Sequence, residues 1–411
     1  MKLILKVIGS LFLLVVITVI AIVAFVEIGS RKMRTITVDE SSITSHSTIP
    51  FTISESGHIL INISVDNSQT LYPFILDTGA SSTFFNQKLS KNFTTIGRIP
   101  QVDINRTLQI LKIVKTPQIR IGDIEIKDVA FKQLNLKNGS LGCVSKYAGI
   151  IGKELMRHFV WQIDFENEVI HIVASRDELT LTGDEKIIKL RENKGGHQLS
   201  IICNIPEYDK YIPLTLDTGL PKGVIIGNEQ LYRFTDTTKI IPSRRYVGNV
   251  GVGLSGKIST DKKTLIAYYS EVKIGEKVKV DSFPIYINST KSFNALGIDF
   301  LKNYKATISW KDKELLLLPI QTLAINANSF GLNIRYNNEL QEARVEYIIE
   351  ESAAERTGVL VQDKVISVNY IPITSQEDLC SSKWKDQDIL ELEVERNGKI
   401  YHYSLQKEPL F

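Results

Sequence analysis

Hydrophobic and polar positions along the 411-residue chain follow three successive patterns. The first is an unbroken apolar run: from Val7 to Val26, twenty residues carry no charge. At about 1.5 Å of rise per residue, a helix of that length spans the roughly 30 Å hydrocarbon core of a bilayer. A single-pass, uncleaved membrane anchor over 7–26 is expected, because Ile22 stands two places before Ala24 where a cleavage site needs a small residue. A cleaved signal peptide is the alternative. Lys2 and Lys6 on one flank face Arg31, Lys32 and Arg34 on the other, so the basic flanks leave the orientation open. Residues 27–50 read as a linker.

The second pattern is alternation rich in β-branched residues, and it occurs twice. His58-Ile-Leu-Ile-Asn-Ile, then Tyr72-Pro-Phe-Ile-Leu-Asp77-Thr78-Gly79, has a counterpart in His197-Gln-Leu-Ser-Ile-Ile, then Tyr211-Ile-Pro-Leu-Thr-Leu-Asp217-Thr218-Gly219. Each half is predicted to open with a strand hairpin ending in Asp-Thr-Gly. Downstream, Ile121-Gly122-Asp123 matches Ile274-Gly275-Glu276. Ile150-Ile151-Gly152 likewise matches Ala295-Leu296-Gly297, each followed by one short helix and two strand-like runs. The aspartate-to-glycine separation is 75 residues in one copy and 80 in the other. Two β-rich lobes, 51–178 and 187–319, are implied, with Arg176 to Lys186 joining them.

The third pattern covers 325–408. It predicts an extended run Ala343 to Ile349, a short helix stopped by Gly358, a turn carrying Asp363, a strand to Asn369 and a helix from Ser375. A closing hairpin turns at Asn397-Gly398.

Charge changes the picture only at the N-terminus. The chain has 49 Lys+Arg and 46 Asp+Glu, a formal +3, but residues 1–34 alone carry five basic groups and one acid. The body is therefore nearly neutral, which excludes a strongly basic nucleic-acid binder. Cys143, Cys203 and Cys380 are widely spaced and odd in number, so free buried thiols are expected rather than a disulfide framework or a metal site. Glu154 and His158 read as a local pair on a helix, and no metal site is expected.

Two Asp-Thr-Gly motifs at matching places in a duplicated fold resemble the aspartic peptidases of the retropepsin–pepsin group. The hydrophobic-hydrophobic-Gly segments Ile150-Ile151-Gly152 and Ala295-Leu296-Gly297 fit the same family. The resemblance implies a mainly β, two-lobed aspartic-protease-like β-barrel unit in which Asp77 and Asp217 share one proton and activate a water between them. It implies further that Thr78 and Thr218 cross-link the two loops, that Gly79 and Gly219 let the backbone pass beneath the carboxyls, and that Ser81 hydrogen-bonds a carboxylate. The second loop continues Leu220-Pro221-Lys222 and offers no such hydroxyl. No cofactor is required, and one chain supplies both half-sites, so a monomeric catalytic unit is expected.

Gly251-Val252-Gly253-Leu254-Ser255-Gly256 matches a nucleotide-loop pattern but leads into strand-like alternation rather than a helix. It is expected instead to be the mobile flap over the substrate. The equivalent stretch Asp103 to Val114 lacks these glycines, so a single flexible flap is expected.

Ser329-Phe330-Gly331-Leu332, with the later Gly358 to Asn369 series, resembles a PDZ domain. That family offers loop backbone N–H groups, here at Phe330, Gly331 and Leu332, to a peptide's C-terminal carboxylate. A membrane-anchored aspartic endopeptidase acting on polypeptides is therefore expected, with the catalytic part placed extracytoplasmically by the resemblance. The alternative is a non-catalytic peptide-binding scaffold using the same cleft and groove.

Overall fold

The computed structural model describes residues 2–33, 46–66, 68–102, 107–135, 143, 147–192, 198–238, 240–248, 263–290, 293–320, 328–337 and 340–411. The apolar run forms one helix, Lys2–Met33. Its span Lys6–Gly29 has a mean hydropathy of 3.1, long and apolar enough to cross a membrane or to serve as a signal sequence.

The duplicated alternation folds into two β-barrel units of one plan. In the first, Ile59–Val65 turns back into Leu71–Leu76, and the alternation sends Ile59, Ile61 and Ile63 into the core. Leu71–Leu76 then runs parallel to Gly149–Ile151, with Leu76 opposite Ile151. In the second, Leu199–Ile205 turns into Lys210–Leu216, which runs parallel to Ala295–Leu296 with Leu216 opposite Leu296. Each Asp-Thr-Gly thus leaves the end of a strand clamped on both sides, and a clamped strand end aims the residues that follow it. The barrels close where Val65 pairs with Ile119 and Cys203 with Ile274. The short helices Lys153–Met156 and Ile298–Leu301 follow the glycines as expected. A helix absent from the sequence reading, Glu229–Thr237, starts at Asn228, whose side chain accepts the Leu231 N–H at 3.0 Å, and it buries Leu231, Tyr232 and Thr235.

The strands trailing each glycine do not stay with their own lobe. Val160–Asp164 pairs antiparallel with Tyr304–Ser309 across the lobes, Trp161 opposite Ile308. With Ser47–Ile53, Val169–Val173, Glu314–Pro319 and Lys186–Lys189, they form one continuous sheet. One hydrophobic core consequently runs from Ile49 to Leu317 through both lobes. Arg176 in the joining segment and Lys189 just after it both meet the buried Glu314 carboxylate.

Both lobes carry a long antiparallel strand pair at the flap position: Thr94–Val102 with Leu108–Ile121, and Ser243–Gly248 with Thr264–Ile274. The expected flap residues Gly251, Gly253 and Gly256 lie outside the described residues.

Residues 328–410 have a core of their own, including Phe330, Leu332, Val345, Val365, Trp384 and Leu392. The elements follow the sequence reading closely. Glu342–Ile349 is a strand, the helix Ala353–Thr357 ends at Gly358 with φ +89°, and Ser375 caps Gln376–Ser381. This third unit is continuous with the second lobe, because Glu342–Ile349 pairs with the hairpin strand Ser243–Gly248, Tyr246 opposite Ile349.

The cysteine expectation is overturned. Cys143, in the first lobe, is bonded to Cys380, on the helix Gln376–Ser381 of the third unit, and only Cys203 is a free buried thiol. Wide spacing in sequence had argued against pairing, but 237 residues of separation vanish once the third unit packs against the first lobe. Closing so long a loop restricts the unfolded chain, an effect of about 2–4 kcal/mol. Non-reducing peptide mapping should therefore recover a Cys143–Cys380 peptide, with Cys203 alkylated only after denaturation. Cys380→Ser should lower the unfolding free energy by about 2–4 kcal/mol.

Candidate active site

The two Asp-Thr-Gly segments meet at the lobe interface through buried, reciprocal hydrogen bonds. The Thr78 N–H donates to Thr218 Oγ1 at 3.0 Å, and the Thr218 N–H donates to Thr78 Oγ1 at 3.0 Å. The Thr78 hydroxyl donates to the Leu216 carbonyl at 2.7 Å, and the Thr218 hydroxyl to the Leu76 carbonyl at 2.8 Å. Each threonine is used as donor and acceptor at once, so neither lobe can shift without breaking bonds on both sides.

That clasp brings Asp77 and Asp217 face to face. A β-carbon built on Gly79 would lie 2.5 Å from the Asp217 carboxyl, and one on Gly219 would lie 2.3 Å from the Asp77 carboxyl. Each carboxyl therefore rests on the other lobe's glycine, and any larger side chain would displace it. The residues behind are equally tight. A β-carbon on Gly152 would lie 2.3 Å from the Ser82 carbonyl oxygen, and one on Gly297 equally close to those of Leu220 and Lys222.

Backbone N–H groups hold the carboxylate oxygens. Ala80 donates to Asp77 Oδ1 at 2.8 Å, and Gly219 donates to Asp217 Oδ1 at 2.9 Å. Burial nevertheless dominates and raises both pKa values above the ordinary carboxylate range. Asp217 is pushed well up, first by burial and next by the negative Asp77 beside it. Two acids this close titrate as a pair, and the pair retains a proton above the pH at which a free carboxyl loses it.

Among the expected site residues, Asp77, Asp217, Thr78, Thr218, Gly79 and Gly219 converge. Among the described hydrogen bonds, none runs from Ser81 to a carboxylate; Asp77 is met by the backbone of Ala80 and Gly79. Phe330, Gly331 and Leu332 lie in the third unit. Phe330 and Leu332 are buried in its core, and the Gly331 N–H, expected to be free for a ligand, donates to Ser329 Oγ at 3.0 Å. Gly331 is required there by close approach, since a β-carbon would lie 2.0 Å from Ser352. No group of His, Cys, Asp and Glu able to hold a metal ion occurs among the described residues.

The departure at Leu220-Pro221 has a structural use. Pro221 supports the loop 54–58: a β-carbon on Gly57 would meet the Pro221 ring carbon at 2.8 Å, and Gly57 has φ +82°. That loop brings His58 to the backbone of Gly219, a placement the motif pattern does not signal.

The sequence matches no protein-family model and no curated protein. Among solved structures the chain is similar to basic 7S globulin from soybean, with a TM-score of 0.43 and 10% identity over 68% of this chain and 95% of that one.

Raised carboxyl pKa values set the sign of a stability effect. Protonation favours the folded state, so the contribution of these groups is fully present below their unfolded pKa and is lost as pH rises through the folded titration. Asp217→Asn, which removes the charge but keeps the shape, should melt higher than wild type at neutral pH. The difference should shrink as pH falls below the ordinary carboxylate range, as read by thermal unfolding across pH.

Proposed function

We propose that the chain is a membrane-anchored aspartic endopeptidase in which Asp77 and Asp217 hydrolyse peptide bonds. The observation that carries this reading is the pair of carboxyls, each seated on the other lobe's glycine and each pushed above its ordinary pKa. In the singly protonated pair, the ionised carboxyl takes a proton from a water between them while the protonated one donates to the scissile carbonyl. The water oxygen adds to the carbonyl carbon, the tetrahedral species collapses as the amide nitrogen receives a proton, and no covalent enzyme intermediate forms. Thr78 and Thr218 hold the two carboxyls in register and take no part in proton transfer.

The third unit is read as a PDZ-type module for polypeptide ends. Among the described residues, Leu332–Asn337 pairs only with Glu342–Ile349, so its other edge faces the helix Gln376–Ser381. Between them lies a cavity of about 230 Å³, lined by Asn333, Arg335, Leu379 and Lys383 and walled by Glu55 and Cys143 of the first lobe. An extended peptide could add to that strand edge, and the cation-bearing walls suit a carboxylate. An extracytoplasmic position for the catalytic part is supported by the Cys143–Cys380 bond, because such bonds persist in oxidising compartments.

Full-length protein in detergent, assayed on a peptide library from about pH 3 to pH 7, should cleave with a bell-shaped profile. Cleavage falls at high pH as the shared proton is lost and at low pH as the pair becomes doubly protonated. Asp77→Asn and Asp217→Asn should each reduce kcat by at least about a thousand-fold. Undiminished cleavage in both variants would sink the dyad, and C-terminal peptide binding without cleavage by any form would establish the scaffold instead.

A further inference from the structure

Register, not motif, reveals a second symmetric contact between the lobes. In the first hairpin Leu60 faces Ile75, and in the second Ser200 faces Thr215. Carried on by two residues, these registers place His58 opposite Asp77 and Gln198 opposite Asp217, each nineteen residues before its aspartate. The sequence repeat aligns His58 with His197. The folded strands pair it with Gln198.

Both side chains reach across to the opposite lobe. Gln198 Nε2 donates to the Gly79 carbonyl at 3.2 Å. The strand register and the packing of Gly57 on Pro221 bring His58 to the second loop, where the Gly219 backbone acts on the imidazole to favour its protonated form, as a carbonyl acceptor does. Burial holds His58 down to about 4, and it is neutral over most of the working range. Its Nδ1 lies 2.9 Å from Ser56 Oγ, which in turn lies 3.1 Å from Ser54 Oγ, while the Ser54 hydroxyl oxygen accepts the His58 N–H at 3.0 Å. In the tautomer whose Nδ1 accepts from Ser56, the proton sits on Nε2 and is available to an acceptor. Among the described residues, ionisable groups on this side include Glu55, Tyr147, whose hydroxyl donates to Glu55 at 3.2 Å, and Glu377, whose charge acts on Tyr147.

The two contacted carbonyls are not arbitrary. The Gly79 carbonyl belongs to the same peptide group as the Ala80 N–H, which donates to Asp77 Oδ1 at 2.8 Å. The Gly219 carbonyl belongs to the same peptide group as the Leu220 N–H, which acts on the Asp217 carboxyl. A donor at the oxygen of a peptide group polarises it and strengthens the bond made by its N–H.

We propose that His58 and Gln198 are paired positioning residues, each donating across the lobe interface to one peptide group and so orienting and strengthening the N–H that faces the opposite lobe's aspartate. The same task is met by an imidazole on one side and an amide on the other. The Leu220-Pro221 departure belongs to this arrangement, since Pro221 carries the loop that delivers His58. The catalytic meaning of the pair rests on the peptidase reading, but the effect on the carboxyls does not.

The test is a titration of the full-length chain in detergent, labelled with ¹³C at the aspartate carboxyl carbon. Signals of the pair are assigned by their loss in Asp77→Asn and Asp217→Asn. In His58→Ala the titration of the pair should move up by about half a unit or more, because a weakened N–H stabilises the anion less. Gln198→Ala should do the same, and His58→Gln, which copies the other lobe, should return it to wild type. Superimposable titrations of wild type, His58→Ala and Gln198→Ala would overturn the proposal, as would a His58→Gln shift equal to that of His58→Ala. Should His58→Ala not fold, Gln198→Ala and His58→Gln decide alone. The carboxyl signals are read whether or not peptides are cleaved, so failed cleavage by wild type counts against the peptidase reading only. Where wild type does cleave, His58→Ala should lower kcat by about ten-fold with KM little changed.

Discussion

The reciprocal threonine clasp is the constraint on which the site depends. Thr78 and Thr218 are buried, and each would leave unpaired donors and acceptors on both lobes if the loops parted. A single buried hydrogen bond contributes only about 0.5–1.5 kcal/mol net, but an orphaned buried group costs about 1–3 kcal/mol. The four bonds share two side chains, so they form and fail together, and they set lobe separation far more sharply than hydrophobic contact could.

Within that fixed frame, electrostatic stress is tolerated. Two carboxyls facing each other in a half-buried cleft disfavour folding when both are ionised, and the clasp prevents the lobes from separating to relieve them. The pair responds by keeping a proton, as the raised pKa values indicate. Gly79 and Gly219 complete the arrangement, since only residues without a β-carbon leave room for the opposing carboxyl.

The lobes are also joined by the sheet carrying Trp161 and Ile308, and the third unit is tied in twice. One tie is the strand pairing of Tyr246 with Ile349, which makes a hairpin of the second lobe and the third unit one sheet. The other is the Cys143–Cys380 bond beside the cavity at the first lobe. The third unit is thus held against the two lobes on two sides, with one wall of the cavity supplied by Glu55 and the loop that also delivers His58.

The sequence alone determined the duplication, the strand hairpins ending at Asp77 and Asp217, the short helices after Gly152 and Gly297, and most elements from Ala343 to Leu405. These are local: alternation, caps and turn residues act within a few positions, so their signals survive in one dimension. Tertiary structure alone decided what depends on distant segments meeting. The trailing strands were legible as strands, but their exchange into one shared sheet was not, because alternation does not say which edge a strand will join. Ser81 was assigned a role that the Ala80 N–H fills, since a motif records residue types and backbone donors are invisible in it. Cys143 and Cys380 looked unrelated because sequence distance says nothing about the space between folded units. His58 and Gln198 share neither residue type nor motif, and only strand register places them opposite the two aspartates, where a hydrogen bond needs a donor at the right point and not a particular amino acid.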